Sequence, residues 1–392
     1  MINLEYAVVK YEAESESLVR GGLQPLEAMG AAGSLSVERV EATPEQLSDI
    51  RADETVRAAA PIMPLRLVEP QASSAEPPGE GSTWGIRAVG ADTAPFDGGG
   101  ITVAILDTGI DASHPAFNAV DITEKDFTGE GNGDGHGHGT HTAATVFGAD
   151  VDGVRIGVAR GVERVLIGKV LGQSGGNTES ILDAVSWAVA QGAQVISMSL
   201  GIDFPGMVES LRGRGVPSRA ATSMALAAYR DNIRIFDTIA DLAKFSGPFR
   251  RGAVIVAASG NESRRKATAG SEETFVLDAA PPATADGIVS VGALVDQEGE
   301  YGIAPFSNAN PDLSGPGVDV ISAAVGGGLK ALSGTSMATP HVAGVAALWA
   351  QKLRQEDALK VDVLKSAVVE RSKKTGLAFA EAGRGMVFAP QD

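Results

Sequence analysis

Three separated stretches carry residues whose types could do chemistry together. In Leu332-Ser333-Gly334-Thr335-Ser336-Met337-Ala338-Thr339-Pro340-His341-Val342-Ala343-Gly344, a small-residue turn presents Ser336 and a helix follows, with Val342, Val345, Ala346, Leu348 and Trp349 at roughly helical spacing. A serine at a helix N-terminus lies where the macrodipole stabilises negative charge, a good place for a nucleophile whose substrate becomes an oxyanion; taken alone, it is equally a helix cap. The second stretch, Asp134 to Ala144, holds His136, His138 and His141, three of the chain's five histidines. Asp134, His136 and His138 are of types that bind zinc, but the spacing fits neither H-E-x-x-H nor another ligand pattern with a known mechanism. The third group lies after apolar runs. Asp107 ends Ile101-Thr102-Val103-Ala104-Ile105-Leu106, and Asn261 follows Ala257-Ala258-Ser259-Gly260. Either residue alone reads as a turn former; an amide there can also aim its NH₂ at a developing oxyanion.

An acyl-transfer site needs a nucleophile, a base, a group that orients the base, and oxyanion donors. Asp107, His138, Ser336 and Asn261 supply that set. An α/β-hydrolase esterase would use G-x-S-x-G; here Ala338 stands at the fifth position, and the order Asp, His, Ser is that of subtilisin.

Ala104 to Ile110, His138-Gly139-Thr140-His141 and Gly334 to Gly344 resemble the three signature motifs of the subtilisin-like serine proteases, over about Trp84 to the C-terminus. The resemblance implies that Ser336 attacks the scissile carbonyl, His138 moves the proton and Asp107 orients the imidazole. It gives the oxyanion hole to Asn261 and the Ser336 backbone N–H. His138 is preferred to His136 because it opens the motif, and His141 is read as structural. Ser199, Leu200 and Gly201 resemble the substrate-pairing strand, and Ala258, Ser259 and Gly260 the opposite pocket wall. There are departures. Ile202 stands where a small residue is common and narrows the pocket mouth. The stretch from Gly201 to Asn261 is long, so about 203–230 reads as an insertion, either a surface elaboration or a lid. Arg264, Arg265 and Lys266 follow the oxyanion Asn closely and read as a solvated loop or an acidic-substrate contact. No cofactor is implied for the chemistry. A structural calcium is the family's option, with Asp150 and Asp152 as the only nearby candidates.

The elements that must hold these residues alternate. Ile101–Leu106, Arg164–Leu171, Val195–Leu200, Ala253–Ala258 and Ile288–Gly292 have strand character. Thr178–Gln191, and a segment around Ile235, Ile239 and Leu242 that Gly247-Pro248 would end, have helical spacing. This predicts an α/β fold: a three-layer, doubly wound, mostly parallel sheet with sites at the C-terminal strand ends. Residues 1–70 read as a small α+β unit. Strand character over Leu4–Tyr11 and Ser36–Ala42 is followed by Thr43-Pro44-Glu45-Gln46, which has capping-box spacing with Pro at the first helical position, in a helix ending near Asp53. Thr55–Val68 is apolar and broken by Pro, an edge strand or extended tail. Residues 71–83 read as a linker and 84–392 as the catalytic unit. By position, the N-terminal unit fits the family's propeptide, an intramolecular chaperone and inhibitor lost by autocleavage; a retained domain is the alternative.

The net charge of -17 argues against nucleic-acid or anionic-membrane partners. With no cysteine, nothing depends on disulfides or thiolate metal sites. Met1 to Tyr6 shows no basic stretch leading into an apolar core, which predicts a cytoplasmic protein; the resemblance implies protein or peptide substrates. A general protease, a specialised precursor-processing protease with a retained N-terminal domain, and an inactive binding protein are the competing functions. Loss of a triad residue would mark the last, and none is lost.

Overall fold

The computed structural model describes residues 3–13, 33–245, 252–266 and 273–392. Its centre is an eight-stranded sheet ordered Glu300–Ile303, Val289–Gln297, Val254–Ala258, Val195–Met198, Thr102–Asp107, Arg164–Lys169, Asp121–Asp126, with Leu313–Pro316 also pairing to Val289–Gln297. Among these pairings only that of Glu300–Ile303 is antiparallel. The sheet is the doubly wound α/β arrangement expected from the alternating strands and helices.

The strand sequences explain their depth. Every residue of Thr102–Asp107, Val195–Met198 and Val254–Ala258 is buried, as a parallel sheet covered on both faces requires. Along the Asp107 strand, Val103 and Ile105 enter one core while Ala104 and Leu106 enter the other. The first core takes the apolar faces of helices His138–Phe147 and Thr335–Gln355. The second takes helices Thr178–Ala190 and Ser218–Phe245. The site therefore lies on rigid, wholly buried supports.

The N-terminal unit is a three-stranded antiparallel sheet, ordered Gly33–Ala42, Leu4–Ala13, Val56–Pro61, with helix Pro44–Arg51. The Thr43 capping box is formed: its hydroxyl accepts from the Gln46 N–H at 3.2 Å, and the Gln46 side chain accepts from the Thr43 N–H at 2.8 Å. The core of this unit is continuous with the second core of the large domain, through Tyr6, Val8 and Leu47. Arg39 pairs with Glu179, Arg51 with Asp231 at 3.0 Å, and the buried Asn232 donates to the Pro61 carbonyl at 2.8 Å.

Two sequence expectations change in the structure. The 203–230 stretch holds helix Phe204–Gly213, which Asp203 caps by accepting from the Gly206 N–H, and the start of a 28-residue helix, Ser218–Phe245. That long helix absorbs the segment read around Ile235–Leu242; its expected terminator, Gly247-Pro248, lies outside the described residues. The 71–83 stretch, read as a linker by composition, is pinned at both ends. Gln71–Ala72 pairs with Leu332–Ser333, and Gly81–Ser82 pairs with Val154–Arg155. Pro and Ser content reports the absence of regular helix, not the absence of backbone pairing.

Candidate active site

Asp107 closes its strand at the C-terminal edge of the sheet. Thr108 and Gly109 then turn the chain toward the helix that His138 opens. Gly109 has φ +107°, and a Cβ there would strike the carbonyl of Gly133. Gly139 meets the Gly109 carbonyl so closely that it too has no room for a side chain. These two glycines let the loops touch, which brings His138 onto Asp107.

The His138 Nδ1 to Asp107 Oδ1 distance is 2.7 Å, and both side chains are almost wholly buried. Asp107 is held in turn by the Thr108 N–H on Oδ1 at 2.8 Å and by the Thr142 hydroxyl on Oδ2 at 3.3 Å. This fixes the ring with Nδ1 toward the carboxylate and Nε2 free to accept a proton, the tautomer a general base needs. His138 Nε2 is buried and makes no hydrogen bond.

Asp134 organises the start of the same helix. Its Oδ1 accepts from the Thr108 hydroxyl at 2.9 Å, the His136 N–H at 3.0 Å and the Gly137 N–H at 2.8 Å. Its Oδ2 accepts from the Thr140 N–H and hydroxyl at 2.8 and 2.7 Å. Burial opposes this charge, but the donors at Gly137, Thr140 and Thr108 outweigh it and lower its pKa. Asp134 is thus consumed as a helix cap, and His136 stands exposed beside it. His141 is buried, with Nε2 3.0 and 3.1 Å from the carbonyls of Val320 and Lys330; burial and the nearby His138 push its pKa down to about 3.

Ser336 lies in the first turn of its helix. Pro340, four residues on, cannot donate to the Ser336 carbonyl, and the Ser199 hydroxyl donates to it instead at 3.3 Å. Asn261 is oriented without ambiguity: its Oδ1 accepts from the Thr335 N–H at 2.8 Å and the Thr335 hydroxyl at 2.9 Å. Its Nδ2 is thereby turned to the cleft.

The cleft holds the chain's own N-terminal segment. Pro64–Leu67 lies between two antiparallel neighbours, with Leu200, Gly201 and Ile202 opposite Leu67, Arg66 and Leu65 on one side, and Gly176–Asn177 on the other. Leu65, Leu67 and Val68 are buried and Arg66 faces out. The space beside Gly201, where a Cβ would sit 3.7 Å from Val68 Cγ2, is taken by the Val68 side chain. The Ser336 hydroxyl donates to the Val68 carbonyl at 3.0 Å, and Asn261 Nδ2 donates to the Glu69 carbonyl at 2.9 Å. Gln71–Ala72 then continues the chain alongside Ser333.

The remaining site expectations fall as follows. Ala258, Ser259 and Gly260 are buried at the end of their strand, and the Gly260 N–H donates to the Thr335 hydroxyl at 3.3 Å. Ile202 is buried; its N–H donates to the Pro281 carbonyl at 3.0 Å. Asp150, one of the two calcium candidates, is already paired with a cation, whereas a calcium cage takes six to eight oxygens. Both Asp150 oxygens face Arg160 Nη1, at 2.8 and 2.9 Å, and among the described residues no three Asp, Glu, His or Cys side chains gather as a metal set. Of the basic run, Arg265 turns inward, donating to the Ser307 carbonyl at 2.9 Å, and Arg264 lies over the Phe275 ring. Sequence reasoning overlooked Thr142. Its position, one helical turn after His138, was the available signal. It also overlooked the partners of Glu262, which have no local signature.

The family model described as "Subtilase family" matches residues 98–385. Over 307 residues the chain is 31% identical to the "Major intracellular serine protease" of Bacillus subtilis, covering 74% of this chain and 82% of the relative. It is 35% identical to "Subtilisin DY" of Bacillus licheniformis, covering 68% of this chain and 83% of the relative. It is 30% identical to "Subtilisin-like serine protease Pen ch 13" of Penicillium rubens, covering 77% of this chain and spanning 66% of that relative's length.

Proposed function

The chain belongs to the subtilase family, and from that premise we propose that it is a serine endopeptidase in which Asp107, His138 and Ser336 cut peptide bonds through an acyl-enzyme. The observations that carry the reading are the buried Asp107–His138 pair, whose Nε2 is unpartnered, and a Ser336 hydroxyl that already meets a peptide carbonyl. Ser336 Oγ attacks the carbonyl carbon as His138 Nε2 takes its proton. The carbonyl π pair moves onto oxygen, where Asn261 Nδ2 and the Ser336 N–H receive it. The tetrahedral intermediate collapses, the C–N bond breaks, and His138 passes the proton to the departing amine. Water repeats the sequence on the acyl-enzyme, which returns Ser336. Asp107 stabilises the imidazolium without taking a proton.

The N-terminal unit acts in this reading as an intramolecular inhibitor. The nucleophile and the oxyanion amide contact consecutive carbonyls, those of Val68 and Glu69, so neither carbonyl is bound by both. Attack requires one carbonyl to meet both groups. A slide of the segment that brings the Val68 carbonyl onto Asn261 would allow cleavage of Val68–Glu69 and release of a propeptide. The pinning of Gln71–Ala72 beyond the nucleophile favours a second reading, a processing protease that keeps its N-terminal domain. The similarity to an intracellular protease supports action inside the cell. Hydrolysis of casein by the wild-type chain and not by Ser336→Ala tests the activity.

A further inference from the structure

The cleft's own occupant shows which side chains its walls receive. Val68 stands where the residue before the cut belongs, because its carbonyl meets Ser336 and its side chain lies beside Gly201. Arg66, two residues earlier, projects from the strand between the buried Leu65 and Leu67, and its Nη2 lies 3.0 Å from Glu262 Oε1. The Glu262 carboxylate is held in place. Its Oε2 accepts from Asn308 Nδ2 at 2.8 Å. Asn308 is buried, donates also to the Ser259 carbonyl at 3.1 Å, and accepts from the Ser263 N–H and hydroxyl at 3.0 and 2.9 Å. Every polar atom of the Asn308 amide is thus committed to shaping the turn that carries Glu262, directly after the oxyanion residue Asn261.

We infer that Glu262, backed by Asn308, is a specificity-determining residue that selects substrates with an arginine or lysine two residues before the residue at the cut. The inference rests on the protease reading above and gives it a substrate class: peptides with a small apolar residue at the cut, apolar residues one and three positions earlier, and a cation between them. Arg66 mimics that cation in the self-bound state. Its ion pair is partly exposed, so the selectivity is modest and salt-sensitive.

Two measurements on the full-length chain test this. The first needs no catalysis. In Ser336→Ala, Arg66→Gln and Glu262→Gln should each speed amide exchange at residues 65–68 by about threefold to fivefold, and the double variant should add nothing further. Gln at 262 keeps an acceptor for Asn308. Silence of either single variant, or effects that multiply, would overturn the contact. The second compares kcat/KM for two peptides containing Leu-Arg-Leu-Val and Leu-Gln-Leu-Val, each cut after valine. The wild type should prefer the arginine peptide by about threefold to fivefold at low salt. That preference should vanish in Glu262→Gln and at high salt. A preference unchanged in Glu262→Gln would overturn the inference. Turnover of neither peptide, by the full-length chain or by the chain cut after Val68, would overturn the protease reading, and the substrate class with it, while the exchange result judges the Arg66–Glu262 contact separately.

Discussion

The Ser336 hydroxyl lies 3.0 Å from the carbonyl of Val68 and donates to it, not to His138. On the proposed reading Ser336 is the nucleophile and His138 its base, and the segment across the cleft holds the Ser336 hydroxyl instead. If this is the resting form, its slow step is movement of the segment. Intact mass and N-terminal sequencing should find the wild type shortened to a new N-terminus at Glu69 and Ser336→Ala full length. Identical shortening of both would assign the cut to another protease.

Asn261→Ala should lower kcat by roughly 10²–10³ with little change in KM, the cost of losing one side-chain oxyanion donor in subtilisin, a member of the same family. The variant also strips Thr335 of an acceptor, so a small drop in thermal stability should accompany it. An unchanged kcat would remove Asn261 from the oxyanion hole.

Gly139→Ala tests the glycine contact that seats His138. Its methyl would strike the Gly109 carbonyl, backbone that cannot rotate away. A loss of stability of about 1–3 kcal/mol is expected from such overpacking. Activity should fall more than tenfold, since small misplacement of a base is costly. Denaturant unfolding in the Ser336→Ala background, beside kcat in the active one, separates the two effects.

The buried histidines set an acid limit. Burial, with a smaller effect from the nearby His138, holds His141 down to about 3, and burial holds His341 down to about 4, against an ordinary value of 6.5. Both rings are neutral when folded and gain protons when unfolded. The unfolded state therefore binds more protons below about pH 6.5, and stability falls as pH drops from there toward 4 and 3. The slope is at most roughly 1.4 kcal/mol per pH unit for each ring. Urea unfolding of Ser336→Ala at pH 7 and pH 5 should show the loss, and His141→Gln should reduce it. Equal stability at both pH values would contradict it.

The residues proposed for catalysis and the strands of the sheet stand out in the sequence because their signals are local. Asp107 ends an apolar run, His138 and Ser336 open helices, and Thr43 with Gln46 spells a capping box within four residues. Pro340 even announces that the Ser336 carbonyl lacks a helical partner. What stayed hidden pairs residues far apart in the chain. Asn261 meets Glu69, and Glu262 meets Arg66, from 192 and 196 residues apart in the chain, and no periodicity records such pairs. Asp150 looked like a cation ligand because sequence shows its charge and not Arg160 beside it. The pinned ends of the 71–83 stretch escaped because backbone pairing there uses no distinctive side chains.

On the proposed reading, Ser336, driven by His138 and Asp107, is the nucleophile of an endopeptidase. The most direct measurement is casein hydrolysis by purified wild type and Ser336→Ala at matched concentration, with circular dichroism confirming that both are folded. Hydrolysis by the wild type and a fall on the order of 10⁶ in the variant are expected, the size seen when subtilisin loses its nucleophile. Equal hydrolysis by the two folded proteins would contradict it.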